Sequence, residues 1–139
     1  MIILDTNVIS EPLRPSPDAH VTAWLDRQSL ETLFITATTL AEVLLGVAQL
    51  PDGKRKFGLA QAVAEHLVPR FASRILPFDA PAARAYATMM AQTRRAGHAI
   101  SVSDGQIAAI ALHHGFTVAT RDTAPFLAAG VAVINPWFD

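Results

Sequence analysis

The residues of this chain best suited to chemistry are four carboxylates that stand beside apolar segments. Asp5 directly follows an apolar run at the start of the sequence, and Asp122 follows a second such run near its end. Asp104 and Glu42 lie near the beginnings of two predicted helices. Parallel strands end at one edge of a sheet, and α/β proteins bind their ligands there, so we expect all four side chains at that edge.

Carboxylates gathered in this way predict a bound cation, since like charges raise one another's pKa values. The chain contains no cysteine, which excludes thiolate ligation, and ligation by oxygen alone suits Mg²⁺ or Mn²⁺. One or two such ions can turn water into a nucleophile and stabilise the charge that builds up in phosphodiester cleavage. The hypothesis from the residues alone is therefore metal-dependent cleavage of a phosphodiester.

Three of these acids also have an ordinary structural interpretation. Asp5 and Asp122 stand at predicted strand-to-helix junctions, where aspartate is a preferred N-cap residue. Glu42 follows Thr39 in the T-x-x-E pattern of a capping box. Gly46, one turn after Glu42, is costly inside a helix and is expected to permit close backbone approach. The sequence leaves both capping and catalysis open for these three acids.

Asp104 is the most informative of the four acids. At helical spacing it shares a face with Ile107, Ala108 and Ala111, the side expected to pack on the sheet. An acid in a first helical turn also suits the helix dipole, but that explains an exposed acid better than one aligned with an apolar face. Function is the favoured interpretation of Asp104, whereas Asp79, which is followed closely by a proline, is better explained as a helix cap.

The predicted elements alternate between strands and helices along the chain. Short apolar runs predict the strands, and several of the segments between them have apolar residues at helical spacing. Pro77 favours an edge position for the third strand. This alternation indicates an α/β fold with a largely parallel sheet, covered on both faces by right-handed crossovers. Strands are predicted at 1–4, 33–36, 75–78, 117–120 and 131–134, and helices at about 16–28, 38–50, 54–71, 79–97, 105–114 and 122–129.

Length and composition set the remaining bounds. The 139 residues are expected to form a single domain, 1–139, with a sizeable core. No apolar run approaches the roughly 20 residues that span a bilayer, and no basic segment precedes the first apolar stretch as in a signal peptide. A soluble cytoplasmic protein is therefore expected. The net charge of −1 argues against a broad phosphate-contacting surface for duplex nucleic acid, but it allows a small local groove.

Four short segments carry a further signal: LDTNVISE at 4–11, TLAEV at 39–43 with the glycine at 46, SDGQIAAIA at 103–111, and ATRD at 119–122. Together they resemble the PIN-domain ribonucleases, specifically the VapC-like and FitB-like toxins of bacterial toxin–antitoxin pairs. Their order and spacing and the chain length agree with that family over nearly the whole sequence. One departure is Ala124-Pro125-Phe126, where many relatives carry aspartate before the phenylalanine, and it leaves the acidic set intact.

The resemblance implies a fold and a site. The fold is a PIN-like three-layer α/β/α domain with a central, mainly parallel five-stranded sheet in the order 3-2-1-4-5. The site is an acidic pocket that coordinates Mg²⁺ or Mn²⁺. Thr6 and Asn7 would support Asp5 by hydrogen bonding, and Thr120 would sit beside the fourth acid. Four acids take the catalytic and metal-binding places: Asp5, Glu42, Asp104 and Asp122.

The resemblance also implies an activity and partners. The activity is metal-dependent endoribonuclease cleavage of RNA by a homodimeric toxin, and the partner is a cognate antitoxin that blocks the pocket, alone or in a toxin–antitoxin hetero-oligomer. Arg121, next to Asp122, is a candidate contact for RNA phosphate, although pairing with an acid explains it equally well. Trp24, Trp137 and Phe138 are expected in core or dimer contacts and not as platforms for base stacking.

Two other functions compete with a nuclease. A non-catalytic PIN-like binding module would keep the shape without the chemistry, and the complete acidic set argues against it. A receiver-like phosphoacceptor domain is similar in length and also carries acids at its strand ends. Such domains need a lysine after the last strand, and this chain has none beyond Lys56. A metal-dependent ribonuclease is therefore the leading hypothesis, and a metal titration discriminates it from a binding module.

Overall fold

Five short strands form the centre of the protein, whose computed structural model describes residues 1–139. They are β1 (Ile2–Leu4), β2 (Leu33–Thr36), β3 (Ile75–Leu76), β4 (Thr117–Ala119) and β5 (Val133–Ile134). Their order across the sheet is β3-β2-β1-β4-β5, and every neighbouring pair is parallel. The predicted α/β class and the order 3-2-1-4-5 are confirmed, as is the edge position of the third strand.

The side chains of β1 alternate between two hydrophobic cores. Ile3 and its β4 partner Val118 lie in one core, while Leu4 and its partner Ala119 lie in the other. Successive strand residues point to opposite faces of a sheet, so burial on both faces explains why apolar residues here run without alternation. Asp5 follows Leu4 at the carboxyl edge of the sheet. Its strand, β1, lies between β2 and β4, where the strand order reverses and where open α/β sheets bind their ligands.

Helices cover both faces of this sheet. They are α1 (Thr6–Ser10), α2 (Ala19–Asp26), α3 (Ala37–Ala48), α4 (Lys54–Ala62), α5 (Val68–Arg70), α6 (Ala80–Arg95), α7 (Val102–His114) and α8 (Ala124–Ala128). A π-helical turn (Val63–Leu67) joins α4 to α5, so the long helical stretch predicted at 54–71 is confirmed with one wider turn inside it. No helix combines the length and the apolarity needed to cross a membrane.

Several helices begin at a different residue from the predicted one because hydrogen-bonding caps set their starts. The hydroxyl of Thr36 accepts a hydrogen bond from the backbone N–H of Thr39 at 2.9 Å, so α3 begins one residue early. The hydroxyl of Ser101 accepts from the N–H of Asp104 at 3.2 Å, so α7 begins three residues early. In contrast, α8 begins two residues late, and the predicted cap of α6 by Asp79 is confirmed.

Two helical glycines have opposite surroundings. A Cβ on Gly105, in the first turn of α7, would lie 2.9 Å from both the sulfur of Met90 and Cε2 of Tyr86 in α6. The bare backbone of Gly105 therefore lets α7 pack closely against α6 beside Asp104. A Cβ on Gly46 would meet nothing within 4 Å, so the predicted close backbone approach at that residue is wrong within this chain.

Candidate active site

Asp5 is the buried centre of the acidic site. The residue is only 5% exposed and lies at the end of the central strand. One carboxylate oxygen caps α1 by accepting a hydrogen bond from the N–H of Thr6 at 2.8 Å. The other accepts from the hydroxyl of Thr120 at 2.8 Å and from the amide of Asn7 at 3.3 Å. Asp5 is therefore an N-cap and also a carboxylate whose orientation is fixed by donors from α1 and from the end of β4.

Thr120 and Asn7 connect the ends of β1 and β4. The fully buried hydroxyl of Thr120 accepts hydrogen bonds from the N–H of Asp122 at 3.1 Å and from the amide of Asn7 at 3.3 Å. The side-chain oxygen of Asn7 accepts from the N–H of Arg121 at 3.1 Å. These bonds tie the segment that carries Asp122 to the carboxylate of Asp5. Asn7 therefore makes the hydrogen bond to Asp5 that was predicted for it, and Thr120 lies beside Asp122 as predicted.

Glu42 joins the site through Thr6. The hydroxyl of Thr6 donates a hydrogen bond to a carboxylate oxygen of Glu42 at 2.7 Å, while its own N–H is bound to Asp5. The capping-box interpretation of Glu42 is wrong, because α3 is capped by Thr36 and Glu42 lies in its second turn. The glutamate side chain is therefore turned toward α1 and the end of β1.

Asp104 and Asp122 form the more open part of the site. Asp104 is half-buried in the first turn of α7, and the apolar face predicted for it is buried at Ile107, Ala108 and Ala111. Asp122 is exposed and does not cap α8, which begins two residues later without a side-chain cap. Both acids line a groove of about 430 Å³.

The four acids interact electrostatically and lack basic partners. Burial, the largest cause, raises the pKa of Asp5 to about 6; hydrogen bonds from Thr120 and Thr6 lower it, and the charges of Asp104 and Glu42 raise it further. Burial likewise raises the pKa of Asp104, and the charges of Asp122 and Glu42 add to this effect. The ion pairs of the protein lie elsewhere, and none involves these four acids.

The donor set suits a hydrated hard cation more than a closed cage. No three of the carboxylates converge closely enough to form a ready-made ligand set. Mg²⁺ typically retains several waters and takes one or two protein carboxylates, so a loose cluster of oxygen donors fits it. A rigid tetrahedral site for zinc would require three or four converging ligands, and these acids do not provide them.

Sequence reasoning missed a bond that connects two of the acid-bearing helices. The hydroxyl of Thr38 in α3 donates to the side-chain oxygen of Gln106 in α7 at 2.9 Å. This contact joins the helix of Glu42 to the helix of Asp104. The available signal was Gln106 itself, a polar residue two positions after Asp104 in an otherwise apolar segment.

Arg121 does not pair with an acid, so one of its two predicted roles is wrong. Its guanidinium carbon lies 4.5 Å from the ring centroid of Trp137, a cation–π contact. Trp24 is buried in the core and Trp137 packs against the same core, as predicted, while Phe138 is 82% exposed. The charge of Arg121 therefore stands beside the acidic site without neutralising it.

A separate apolar groove lies between α1, α2 and the end of the long helical stretch. Its volume is about 420 Å³, and most of its lining residues are hydrophobic. Leu4, the residue before Asp5, contributes to its wall. The other apolar wall residues include Ile9, Leu13, Leu25, Leu33 and Phe71.

Comparison with known proteins gives a consistent result. The family model described as PIN domain matches residues 2–131. Toxin FitB of Neisseria gonorrhoeae is 53% identical over 139 residues, which cover 100% of this chain and 100% of that relative. The VapC ribonuclease Y4jK of Sinorhizobium fredii is 51% identical over 137 residues, which cover 99% of this chain and 98% of that relative.

Solved structures agree with the sequence comparison. The crystal structure of FitAcB from Neisseria gonorrhoeae matches with a TM-score of 0.95 at 53% identity, over 99% of this chain and 99% of that chain. Solved toxin–antitoxin complexes are among the other structures that share the fold.

Proposed function

This chain belongs to the PIN-domain family, and on that basis we propose that it is a metal-dependent endoribonuclease and the toxin of a toxin–antitoxin pair. Two relatives that are more than half identical support this proposal, since one is named a ribonuclease and the other a toxin. The observation that carries it is the gathering of four acids without a basic partner at the carboxyl edge of the sheet. They are Asp5, Glu42, Asp104 and Asp122.

The proposed cation is Mg²⁺ or Mn²⁺, bound among these four carboxylates, by one or two of them directly and by the others through its waters. The raised pKa values of Asp5 and Asp104 support this, because a nearby cation favours the ionised carboxylates that the fold alone penalises. When bound, the cation would activate water and neutralise the charge that develops on the phosphodiester.

The residues of the chain have different proposed roles. Asp5 is almost fully buried, so it contributes charge and fixed orientation and does not contact RNA. Asp104 and Asp122 line the groove and are the carboxylates that RNA can reach. Thr120 and Thr6 hold Asp5, and Thr6 also holds Glu42. In the proposed reaction a water oxygen bonds to phosphorus and loses a proton, while a P–O bond to a ribose oxygen breaks and that oxygen gains a proton.

A cleavage assay on total bacterial RNA, with mapped product ends, tests the proposed activity. We expect cleavage in Mg²⁺ or Mn²⁺ that stops with chelator and is absent in the Asp5→Asn variant. Asp52→Asn is the matched control, because Asp52 is fully exposed in the turn before α4 and its side chain bonds only to Lys56. Wild-type protein that binds Mn²⁺ but cleaves no RNA would support a PIN-like binding module instead.

The proposed partner in the cytoplasm is an antitoxin whose C-terminal segment wraps this domain. The apolar groove suits the apolar face of an amphipathic helix, and its wall residue Leu4 directly precedes Asp5 in the chain. An arginine of the same segment could reach the acids through bidentate hydrogen bonds and disturb the cation site. Such a segment would be disordered when free and fold on binding.

Expression in bacteria tests the toxin role separately from the nuclease activity. Inducing this chain alone should arrest growth, and co-expression of the adjacent antitoxin reading frame should restore it. Asp5→Asn should be harmless yet still bind the partner, because the groove is unchanged. A wild-type chain that is harmless at good expression, with no co-purifying partner, would contradict the toxin role and leave the nuclease proposal standing.

We further propose that the protein is a homodimer. Leu44 and Leu45 on α3 and Phe57 on α4 expose 49%, 57% and 71% of their surface. Three large apolar side chains on neighbouring helices form the kind of surface that an isologous contact covers. Light scattering at micromolar concentrations should give a dimer, and Phe57→Asp should shift it to monomer. A wild-type monomer would contradict this assembly.

A further inference from the structure

Arg121 carries a positive charge that no carboxylate neutralises, at the edge of the acidic site. It precedes Asp122 in sequence. Its backbone N–H donates to the side-chain oxygen of Asn7, and the amide of Asn7 donates in turn to Asp5. Its guanidinium nevertheless forms no ion pair. Instead the group lies 4.5 Å from the ring centroid of Trp137, and the residue is exposed.

The ring of Trp137 is held in place by a turn and by the core. The N–H of Trp137 donates to the side-chain oxygen of Asn135 at 3.0 Å. The indole packs against the core that contains Leu4 and Ala119, and its Nε1 is buried without a hydrogen-bond partner. The position of the ring is therefore fixed by packing, and its face remains available to Arg121. Tryptophan is the strongest of the aromatic partners for a guanidinium.

Stacking leaves the hydrogen-bonding capacity of the guanidinium free. The guanidinium carbon lies over the ring of Trp137, and none of the five guanidinium N–H donors is used in a hydrogen bond or an ion pair of the protein. An arginine beside four carboxylates would otherwise be expected to pair with one of them and to compete with a cation. Held on Trp137, Arg121 can bind an external anion by donating two parallel hydrogen bonds to it, the geometry that phosphate favours.

We propose that Arg121, held away from the acids by Trp137, binds an RNA phosphate that flanks the scissile one. The flanking phosphate is assigned because the guanidinium faces Trp137 and not the carboxylates, while its backbone lies directly beside Asp122. Trp137 is a positioning residue that acts through Arg121. This inference rests on the proposed ribonuclease function and adds one contact to its RNA path.

Binding of a short fluorescein-labelled single-stranded RNA of mixed sequence tests the contact directly. An Asp104→Asn background prevents cleavage during the measurement. Arg121→Gln should weaken binding roughly tenfold and reduce the slope of log affinity against log salt by about 0.7, the value for one lost phosphate contact on a single strand. Arg27→Gln is the control of equal charge, because exposed Arg27 ends α2 at the opposite, amino edge of the sheet.

A double-mutant cycle tests whether Trp137 acts through Arg121. Trp137→Leu should weaken RNA binding on its own but cause no further loss when Arg121 is already Gln. Trp137→Phe keeps an aromatic face and should retain most of the affinity. A loss from Trp137→Leu that is equal in both backgrounds would indicate a structural role and overturn the positioning assignment.

Cleavage kinetics show whether Arg121 contacts a flanking phosphate or the scissile one. They also show whether this inference fails alone or together with the nuclease proposal. In the cleaving protein, Arg121→Gln should raise KM and leave kcat nearly unchanged, as expected for uniform binding. A fall in kcat alone would place Arg121 at the scissile phosphate and overturn this assignment. If the wild type cleaves RNA but Arg121→Gln has the same RNA affinity and KM as Arg27→Gln, only this inference fails. If wild type neither binds nor cleaves RNA, both proposals fail.

Discussion

The acidic site consists of two halves that are held in place in different ways. In the bonded half, Asp5 and Glu42 are fixed by hydrogen bonds from side chains on neighbouring elements, and Asp5 is only 5% exposed. In the open half, Asp104 is half-buried and Asp122 is exposed, and both line the groove. The packing of α7 against α6 sets the backbone position of Asp104, and the turn after β4 sets that of Asp122.

This difference indicates a division of work between the two halves. A carboxylate with several hydrogen bonds loses little entropy when it acts, since its rotamer is already set. Carboxylates that face a groove can adjust to a hydrated cation and to the substrate. In the proposed reaction the bonded half would therefore supply fixed charge, and the open half would supply adaptable contact. Four predictions test this contrast, from the largest expected effect to the smallest.

The largest effect should come from removing the charge of either half. Asp5→Asn and Asp104→Asn should each lower kcat/KM for RNA on the order of a hundredfold to a thousandfold, because each removes charge that stabilises the transition state through the cation. Circular dichroism should show an unchanged fold. Full activity of either variant at matched concentration would contradict the assignment of that residue to the site.

The second effect should come from the support of the bonded half alone. Thr120→Val removes the hydroxyl that donates to Asp5 and should weaken Mn²⁺ binding about 10- to 100-fold, the usual cost of losing a bond that orients a ligand. Calorimetric titration measures this affinity without any RNA. Thr117→Val is the control and should bind Mn²⁺ normally, because Thr117 begins β4 opposite Ile2, at the far end of the strand from Asp5. Equal affinities would show that the hydroxyl does not orient Asp5.

The third effect concerns stability and pH in metal-free buffer. The pKa of Asp5 is about 6 in the folded protein against its ordinary value of 3.8, so the folded state binds more protons than the unfolded state between these values. Its contribution to stability is full below about pH 4 and lost as pH rises through about 6, a decrease on the order of 2 to 3 kcal/mol.

Urea unfolding across this pH range measures the decrease. Asp5→Asn should remove it and should be the more stable protein at neutral pH without metal. Asp122→Asn, in the open half, should retain it because Asp122 is exposed. With excess Mg²⁺ the order should reverse, since only the wild-type site gains stability from the ion. A wild-type stability that does not fall between pH 4 and 6 would contradict the raised pKa.

The smallest effect should come from the packing that supports the open half. Gly105→Ala forces Met90 and Tyr86 to move and should lower the free energy of unfolding by about 1 kcal/mol, with a modest loss of activity as Asp104 shifts. Gly46→Ala is the matched control, because its Cβ would meet open space and alanine is the better helix former. Thermal denaturation should give opposite shifts, and a stabilising Gly105→Ala would show that α6 and α7 are not in close contact there.

Much of the fold was predictable because the signals are local. The unbroken apolar residues before Asp5 predicted a strand buried on both faces, and Ile3 and Leu4 do face two cores. Gly115, which directly follows the helix predicted at 105–114, adopts the left-handed conformation with φ of 69° that favours glycine. The positions of caps were less predictable, since Thr36 and Thr39 are equally suitable residue types and only the end of β2 decides between them.

The site divides in the same way. The sequence by itself determined where the four proposed site residues would gather, because carboxylates at strand ends and helix starts must reach one edge of a parallel sheet. Only the tertiary structure decided how each is held: that Thr6 binds Glu42, that Thr38 binds Gln106 across two helices, and that Arg121 lies on Trp137. Such contacts join residues far apart in the chain, and they depend on distances and directions that only the packed fold defines.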